Sequence, residues 1–183
     1  DGVEGKQADS LRMNQSGNAI TLASAESQWD GTGKKGPFLY KESKGNFLAQ
    51  IKIGDLSRYQ AKRPLGANEV GLMVRGPLSK QIALLQNGVM LGWGIGNIIT
   101  TIDNGRRIQH NNGLGYEFYS YLQIQREGDL FFIRGSHDGK KWRELPGSPY
   151  YKPVWKDHAL QIGLYQASYG EKRAFGVLSD FVF

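Results

Sequence analysis

The residues best suited to chemistry are the carboxylates Glu69, Glu117, Glu127, Asp129, Glu144 and Asp157. Cleaving a glycosidic bond by the usual route takes two carboxyl groups that face the bond. Glu69 in "NEVGLMVRG" and Glu117 in "GYEFYS" begin strand-like segments, so a fold can bring them together. Most of the others stand at strand ends or turns, where a carboxylate is normally solvated. No metal chemistry is indicated: His110, His137 and His158 lack a ligand spacing such as His-x-x-x-His. Cysteine is absent, which excludes thiolate metal sites, thiol nucleophiles and disulfides. "GWGIGN" at 92–97 has its third glycine too early for a dinucleotide loop, and no helix follows it. No cofactor is expected.

A second set of residues suits binding. In "GLMVR" Leu72 and Val74 face a core, so Arg75 points away from it. The same alternation in "YLQIQ" turns Tyr121, Gln123 and Gln125 outward, and in "LQIGLYQ" it turns Gln161 and Tyr165 outward. If these strands share a sheet, the six side chains form one surface. Amides and a guanidinium bond sugar hydroxyls, and aromatic rings stack on pyranose C–H faces. Such a set fits a carbohydrate better than a lipid or a metal, although any sandwich also carries a polar outer face. Trp93, between glycines, and Trp155, after "YYKPV", are further candidates for a binding rim. Trp29, Tyr59 and Tyr169 are the remaining aromatic candidates for exposure.

Strands must position these groups. "NAITLAS" (18–24), "GPFLYKES" and "GNFLAQIKIGD" read as strands, the last with Phe47, Ala49, Ile51 and Ile53 on one side. The long polar connection at 56–68 is followed by further strands. Hairpin turns are predicted at Asn87-Gly88, Asn104-Gly105 and Glu127-Gly128. There is no internal repeat and no linker. The chain reads as one all-β domain, 1–183, with 1–17 a polar N-terminal extension. Many antiparallel strands with tight turns and little helix mean a sandwich or a barrel.

The formal charge is +6 and the pI about 9.5. The cations fall in pairs at turns (Lys34–Lys35, Arg106–Arg107, Lys140–Lys141, Lys172–Arg173), with no basic helix. Nucleic acid is therefore not the expected partner. No apolar run approaches the roughly 18 residues of a membrane span. "DGVEGKQADS" is polar and is not a signal peptide, which leaves room for a mature form whose signal was removed.

In "GDLFFIRGSHDGKKWREL" the pattern Ser-x-Asp-Gly-x-x-Trp is one residue shorter than the Asp-box of sialidase propellers, and it occurs once. It reads as a hairpin tip, with Ser136 and Asp138 bonding backbone groups and Gly139 at positive φ. Taken in order, "GNFLAQIKI", "EVGLMVRG", "YLQIQREGDLFFIRGSHDGKKWREL", "LQIGLYQAS" and "AFGVLSDFVF" resemble the concanavalin A-like lectin/glucanase jelly roll. The resemblance is closest to a poorly characterised bacterial branch akin to β-xylosidase C-terminal domains and domains of unknown function. It spans residues 37–183. It implies two antiparallel sheets, one curved, whose concave face often binds or cleaves polysaccharide. It also implies export, to the extracellular space, the periplasm or the cell surface. Some members hold a structural calcium, for which Asp30 and Asp180 are the candidate ligands here. The Glu-x-Asp-x-x-Glu or Glu-x-Asp-x-Glu strand of laminarinase-type relatives is missing. Carbohydrate binding is thus the expected function. A glycoside hydrolase with a divergent carboxylate pair, or a structural protein-interaction sandwich, are the alternatives.

Overall fold

The computed structural model describes residues 2–4, 12–24, 29, 36–56, 67–77, 83–91, 95–103, 105–112, 118–169 and 174–183. Their strands are β1 (Gly2–Glu4), β2 (Arg12–Ser16), β3 (Ala19–Ser24), β4 (Phe38–Ser43), β5 (Phe47–Leu56), β6 (Ala67–Arg75), β7 (Leu84–Leu91) and β8 (Ile95–Asp103). They continue with β9 (Arg106–Asn112), β10 (Tyr121–Glu127), β11 (Leu130–Ser136), β12 (Arg143–Glu144), β13 (Tyr150–Tyr151), β14 (Leu160–Tyr169) and β15 (Ala174–Val182). Among the described residues a 3₁₀ turn, Pro153–Trp155, precedes β14. No helix among the described residues is long and apolar enough to cross a membrane.

The strands form two antiparallel sheets packed as a jelly-roll-like β-sandwich. The seven-stranded sheet runs β1-β4-β14-β6-β7-β8-β9. The eight-stranded sheet runs β12-β11-β10-β5-β15-β3-β2, and β13 pairs with β11 beside β12. The core between them is built by alternation. Val70, Leu72, Val74, Leu85, Val89, Ile99, Ile162 and Leu164 come from the first sheet. Ala49, Ile51, Ile53, Leu122, Ile124, Phe131, Ile133 and Leu178 come from the second. Burying a side chain of this size stabilises by about 1.5–3 kcal/mol relative to exposure.

Polar side chains also cross the gap. Asn87 Nδ2 donates to the carbonyls of Gln123 (3.1 Å) and Arg134 (3.0 Å) on the opposite sheet. Gln166 Nε2 donates to the Ala174 carbonyl at 2.9 Å, and its Oε1 accepts from Ser24 Oγ at 3.1 Å. Asn68 Nδ2 donates to the Phe175 carbonyl at 2.7 Å. Lys152 Nζ donates to Asp103 at the end of β8.

Two expectations from the sequence are corrected. Asn87-Gly88 is not a turn: both residues lie inside β7, which pairs with β6 and β8 along its whole length. Asn87 is used for the cross-sheet bonds. Gly88 is required because a Cβ there would stand 2.2 Å from the Tyr165 hydroxyl. The polar segment 1–17 is not merely an extension, since β1 and β2 close an edge of each sheet, β1 on β4 and β2 on β3. The other two hairpins form as expected, with Gly105 between β8 and β9 at φ 75° and Gly128 between β10 and β11 at φ 64°.

Candidate functional site

The outer face of the seven-stranded sheet, away from the inter-sheet core, holds an unusual set of side chains. Register places Phe38 and Tyr40 of β4, Gln161, Tyr165 and Tyr169 of β14, and Glu69, Met73 and Arg75 of β6 on it. Leu84 and Gln86 of β7, Thr100 and Ile102 of β8, and Arg107 and Gln109 of β9 lie on it too. At one end the Glu69 carboxyl is fully buried. It accepts from the Tyr165 hydroxyl at 2.5 Å and from the Tyr169 hydroxyl at 3.1 Å. Burial pushes the Glu69 pKa up, against the lowering effect of the two phenols and of Arg107. Burial and the nearby carboxyl push both tyrosines up as well. Arg107 stands on edge strand β9, three strands from Glu69 and six residues further along the sheet. On a flat sheet that is about 14 Å across and 20 Å along. Its electrostatic contact with Glu69 and Tyr169 therefore requires the sheet to curl over this face.

At the other end Arg75 is buried, and its Nε donates to Gln161 Oε1 at 2.6 Å. Its guanidinium stands 5.5 Å from the Phe38 ring centroid and 5.7 Å from that of Tyr40. Between the two ends, Gln86 Nε2 contacts Met73 Sδ at 3.5 Å and Gln109 Nε2 donates to Thr100 Oγ1 at 3.4 Å. Trp29 covers part of the face. It meets Phe38 edge-on at 6.0 Å and donates its Nε1–H to the Gln166 carbonyl at 3.3 Å. A Cβ on Gly36 would strike its indole at 2.2 Å, so glycine lets the tryptophan seat there. The accessible part of the face includes Tyr40, Glu42, Tyr169, Arg107 and Gln109.

The six-residue surface expected from alternation is split. Arg75, Gln161 and Tyr165 share this face, but they are buried rather than exposed. Tyr121, Gln123 and Gln125 belong to β10 and lie on the outer face of the opposite sheet. There Arg134 Nη1 donates to Gln123 Oε1 at 3.1 Å and to Gln125 Oε1, and stands 3.8 Å from Glu144. Gln123 and Gln125 donate onward to Gln50 and Glu127, while Lys52 stands over the Tyr121 ring. On this second face Arg134, Gln123 and Gln125 are thus bonded to one another.

Trp155 is no rim residue either. It is buried in the core, edge-on to Phe131 at 5.3 Å and seated on Gly76. Arg126 fixes that segment by donating to the carbonyls of Trp155 (2.8 Å) and Lys156. Of the calcium candidates, Asp180 sits at φ 52° in a bulge of β15 and lines a cavity of about 290 Å³. Among the described residues no cluster of three metal-ligating side chains forms. Glu117, Trp93, Tyr59 and Asp30 lie outside the described residues. Among the described side chains of the outer face the other carboxylate is Glu42. It pairs with Gln161, whereas Glu69 pairs with Ala167, six residues along β14 and so about 20 Å away. That exceeds the roughly 5–9.5 Å between the carboxyls of glycosidases.

Sequence reasoning missed the roles of Phe38, Tyr40, Gln86 and Thr100. The i, i+2 spacing of Phe38 and Tyr40 was a usable signal. Gln86 was hidden because an assumed turn at Asn87 cut its strand.

The hairpin at 136–141 is a structural tip, as its sequence indicates. Ser136 Oγ accepts from Gly139 N at 3.0 Å, and Asp138 Oδ1 accepts from Lys140 N and Lys141 N, each at 2.8 Å. Gly139 has φ 72°. The backbone donors of Lys141 and Lys140 hold the Asp138 pKa down at about 2.

No protein-family model matches the sequence, and no curated protein does. Solved structures do match in fold. A functionally unknown protein from Saccharomyces cerevisiae superposes with a TM-score of 0.76 at 16% identity, over 99% of this chain and 94% of that one. The GH43 BlXynB protein from Bacillus licheniformis matches with a TM-score of 0.59 at 14% identity, over 88% of this chain. Xylan beta-1,4-xylosidase from Bacillus halodurans C-125 gives 0.58 at 10% identity, over 92%. The chain spans only 32% and 37% of these two Bacillus proteins. At such identities the likeness is one of fold, a β-sandwich that makes up about a third of each of these two larger proteins.

Proposed function

We propose that this chain binds carbohydrate on the outer face of its seven-stranded sheet, as an exported, non-catalytic domain. One observation carries the reading. Glu69, Arg75, Gln86, Thr100 and Gln161 are buried on a face that is not the inter-sheet core. Burying polar groups is costly, and a face built only for packing is apolar. These buried groups form the bed beneath the accessible Tyr40, Tyr169, Arg107 and Gln109, whose rings, guanidinium and amide give the mixture of ring-stacking and hydroxyl-bonding surfaces that a sugar needs. Likeness of fold to part of a xylan beta-1,4-xylosidase supports a saccharide over other ligands. The test is a pull-down of the purified chain on insoluble xylan and a panel of other polysaccharides, with Tyr169→Ala and Arg107→Ala as comparisons. Retention of the parent chain and loss in both variants is expected. Retention on none of the glycans overturns the reading.

Hydrolysis is a second reading with one observation in its favour. Burial raises the Glu69 pKa, which is the condition a general acid requires. Product analysis on any retained glycan separates the two. Released sugar that disappears in Glu69→Gln would establish hydrolysis and displace the binding-only reading.

A further inference from the structure

A pocket of about 280 Å³ opens beside the 136–141 hairpin, lined by Tyr119, His137, Asp138, Lys141 and Arg143. It is distant in the fold from the sheet face discussed above: Tyr119 leads into β10 and Arg143 lies in β12, both parts of the eight-stranded sheet. We propose that this pocket binds a carboxylate-bearing sugar of the uronic acid class.

The floor is rigid. Tyr119 is buried, its N–H donates to Asn97 Oδ1 at 2.6 Å, and its carbonyl accepts from Asn97 Nδ2 at 3.3 Å. Its ring lies on Gly135, where a Cβ would stand 2.5 Å from ring carbon Cδ2. The His137 ring rests 4.5 Å from the Tyr119 ring, so two flat apolar surfaces meet at the base. The wall is rigid too, because the Ser136 and Asp138 bonds fix the hairpin from which Lys141 projects. Arg143 follows at i+2 and pairs with Gly135 across the strand, which brings it beside Tyr119.

The charge balance selects the ligand. Lys141 and Arg143 supply two cations. Asp138 supplies one anion, whose Oδ1 is occupied by Ser136 Oγ and two backbone N–H groups. Two cations against one anion leave the pocket with a net positive charge. Arg143 and Lys141 suit a ligand carboxylate. The Asp138 carboxylate accepts from a sugar hydroxyl, and the Tyr119 and His137 rings meet the C–H face of the ring. A bare phosphate would use the cations but not the carboxylate or the rings. The volume is at the small end of ligand sites, the size for a single sugar unit.

The test is calorimetry of the full chain with glucuronate, glucose and inorganic phosphate, repeated with Lys141→Ala and Arg143→Ala. Both residues are exposed, so both variants should keep the parent melting temperature. Glucuronate should bind, each variant should weaken it about tenfold or more, and glucose and phosphate should bind much more weakly. Saturating neutral xylo-oligosaccharide should leave the glucuronate isotherm unchanged, which keeps this pocket separate from the sheet-face reading. Glucuronate bound no better than glucose overturns the proposal. So does phosphate bound as tightly as glucuronate, an isotherm indifferent to both variants, or competition by the neutral oligosaccharide.

Discussion

Glu69 sits between two phenols in a place where no carboxylate is comfortable. Tyr165 and Tyr169 supply hydrogen bonds that favour the ionised form, yet burial outweighs them and raises the pKa. The linkage follows from the sign. With the folded pKa above the ordinary 4.5, this group's stabilising contribution is complete below that value and is lost as pH rises through the folded pKa. Glu69→Gln keeps the shape and removes the titration. The variant should therefore gain in melting temperature relative to the parent as pH rises from 4 to 8. A difference that stays flat across that range would show that the Glu69 pKa is the same in the folded and unfolded chain. Asp138 has the opposite sign. Its pKa is depressed to about 2 from 3.8, so its contribution is present above 3.8 and lost as pH falls towards 2. Asp138→Asn should lower the melting temperature at pH 7 and matter progressively less in acid. An equal deficit at pH 7 and near pH 2 would mean that shape, not charge, holds the hairpin. Of these two roles only that of Asp138 was legible in the sequence. Its partners are two and three residues away, whereas the partners of Glu69 lie about a hundred residues along the chain.

Strands carry a different lesson. Alternation correctly set which side of each strand faces the inter-sheet core in β5, β6, β10 and β14. It could not say which sheet a strand joins, so Gln123 and Gln161, both turned away from the core, ended on opposite sides of the molecule. Nor could it say that β6 and β14 would be buried nearly end to end. The misread turn at Asn87-Gly88 has the same origin. Asn-Gly is a strong local hairpin signal, but the reason for glycine here is a phenol two strands away. That claim can be tested. Gly88→Ala places a Cβ 2.2 Å from the Tyr165 hydroxyl and 3.1 Å from the Val70 carbonyl, and should cost about 1–3 kcal/mol. Tyr165→Phe removes the obstructing oxygen at a cost of about 1 kcal/mol for the lost bond to Glu69. The double variant should be more stable than the sum of the two losses predicts, as measured by urea unfolding. Simple additivity would place the strain elsewhere, at the Val70 carbonyl.

At the scale of the whole molecule the question is what keeps two sheets in one alignment, since apolar contact alone tolerates sliding. Asn87 and Gln166 act as polar clips across the core. Asn87 of β7 reaches the backbone of β10 and β11. Gln166 of β14 links β3 and β15, with Asn68 beside it. Each directs buried side-chain groups at opposite-sheet partners, so a slip of one residue would leave those partners bare in the core. Replacing Asn87 by Leu or Gln166 by Met keeps the approximate volume and removes the bonds, at about 1–3 kcal/mol each for the polar groups stranded. Two strand spacings and two residues of register separate the clips, about 12 Å. At that distance independent effects add to within about 0.5 kcal/mol. If the sandwich is pinned at two separate points, the double variant should lose the sum of the single losses in urea unfolding with an unchanged m-value. If the sheets instead behave as one hinge that loosens once either clip is gone, the second loss will be much smaller than the first. The m-value would then fall, because the native state of the single variants would already be partly open.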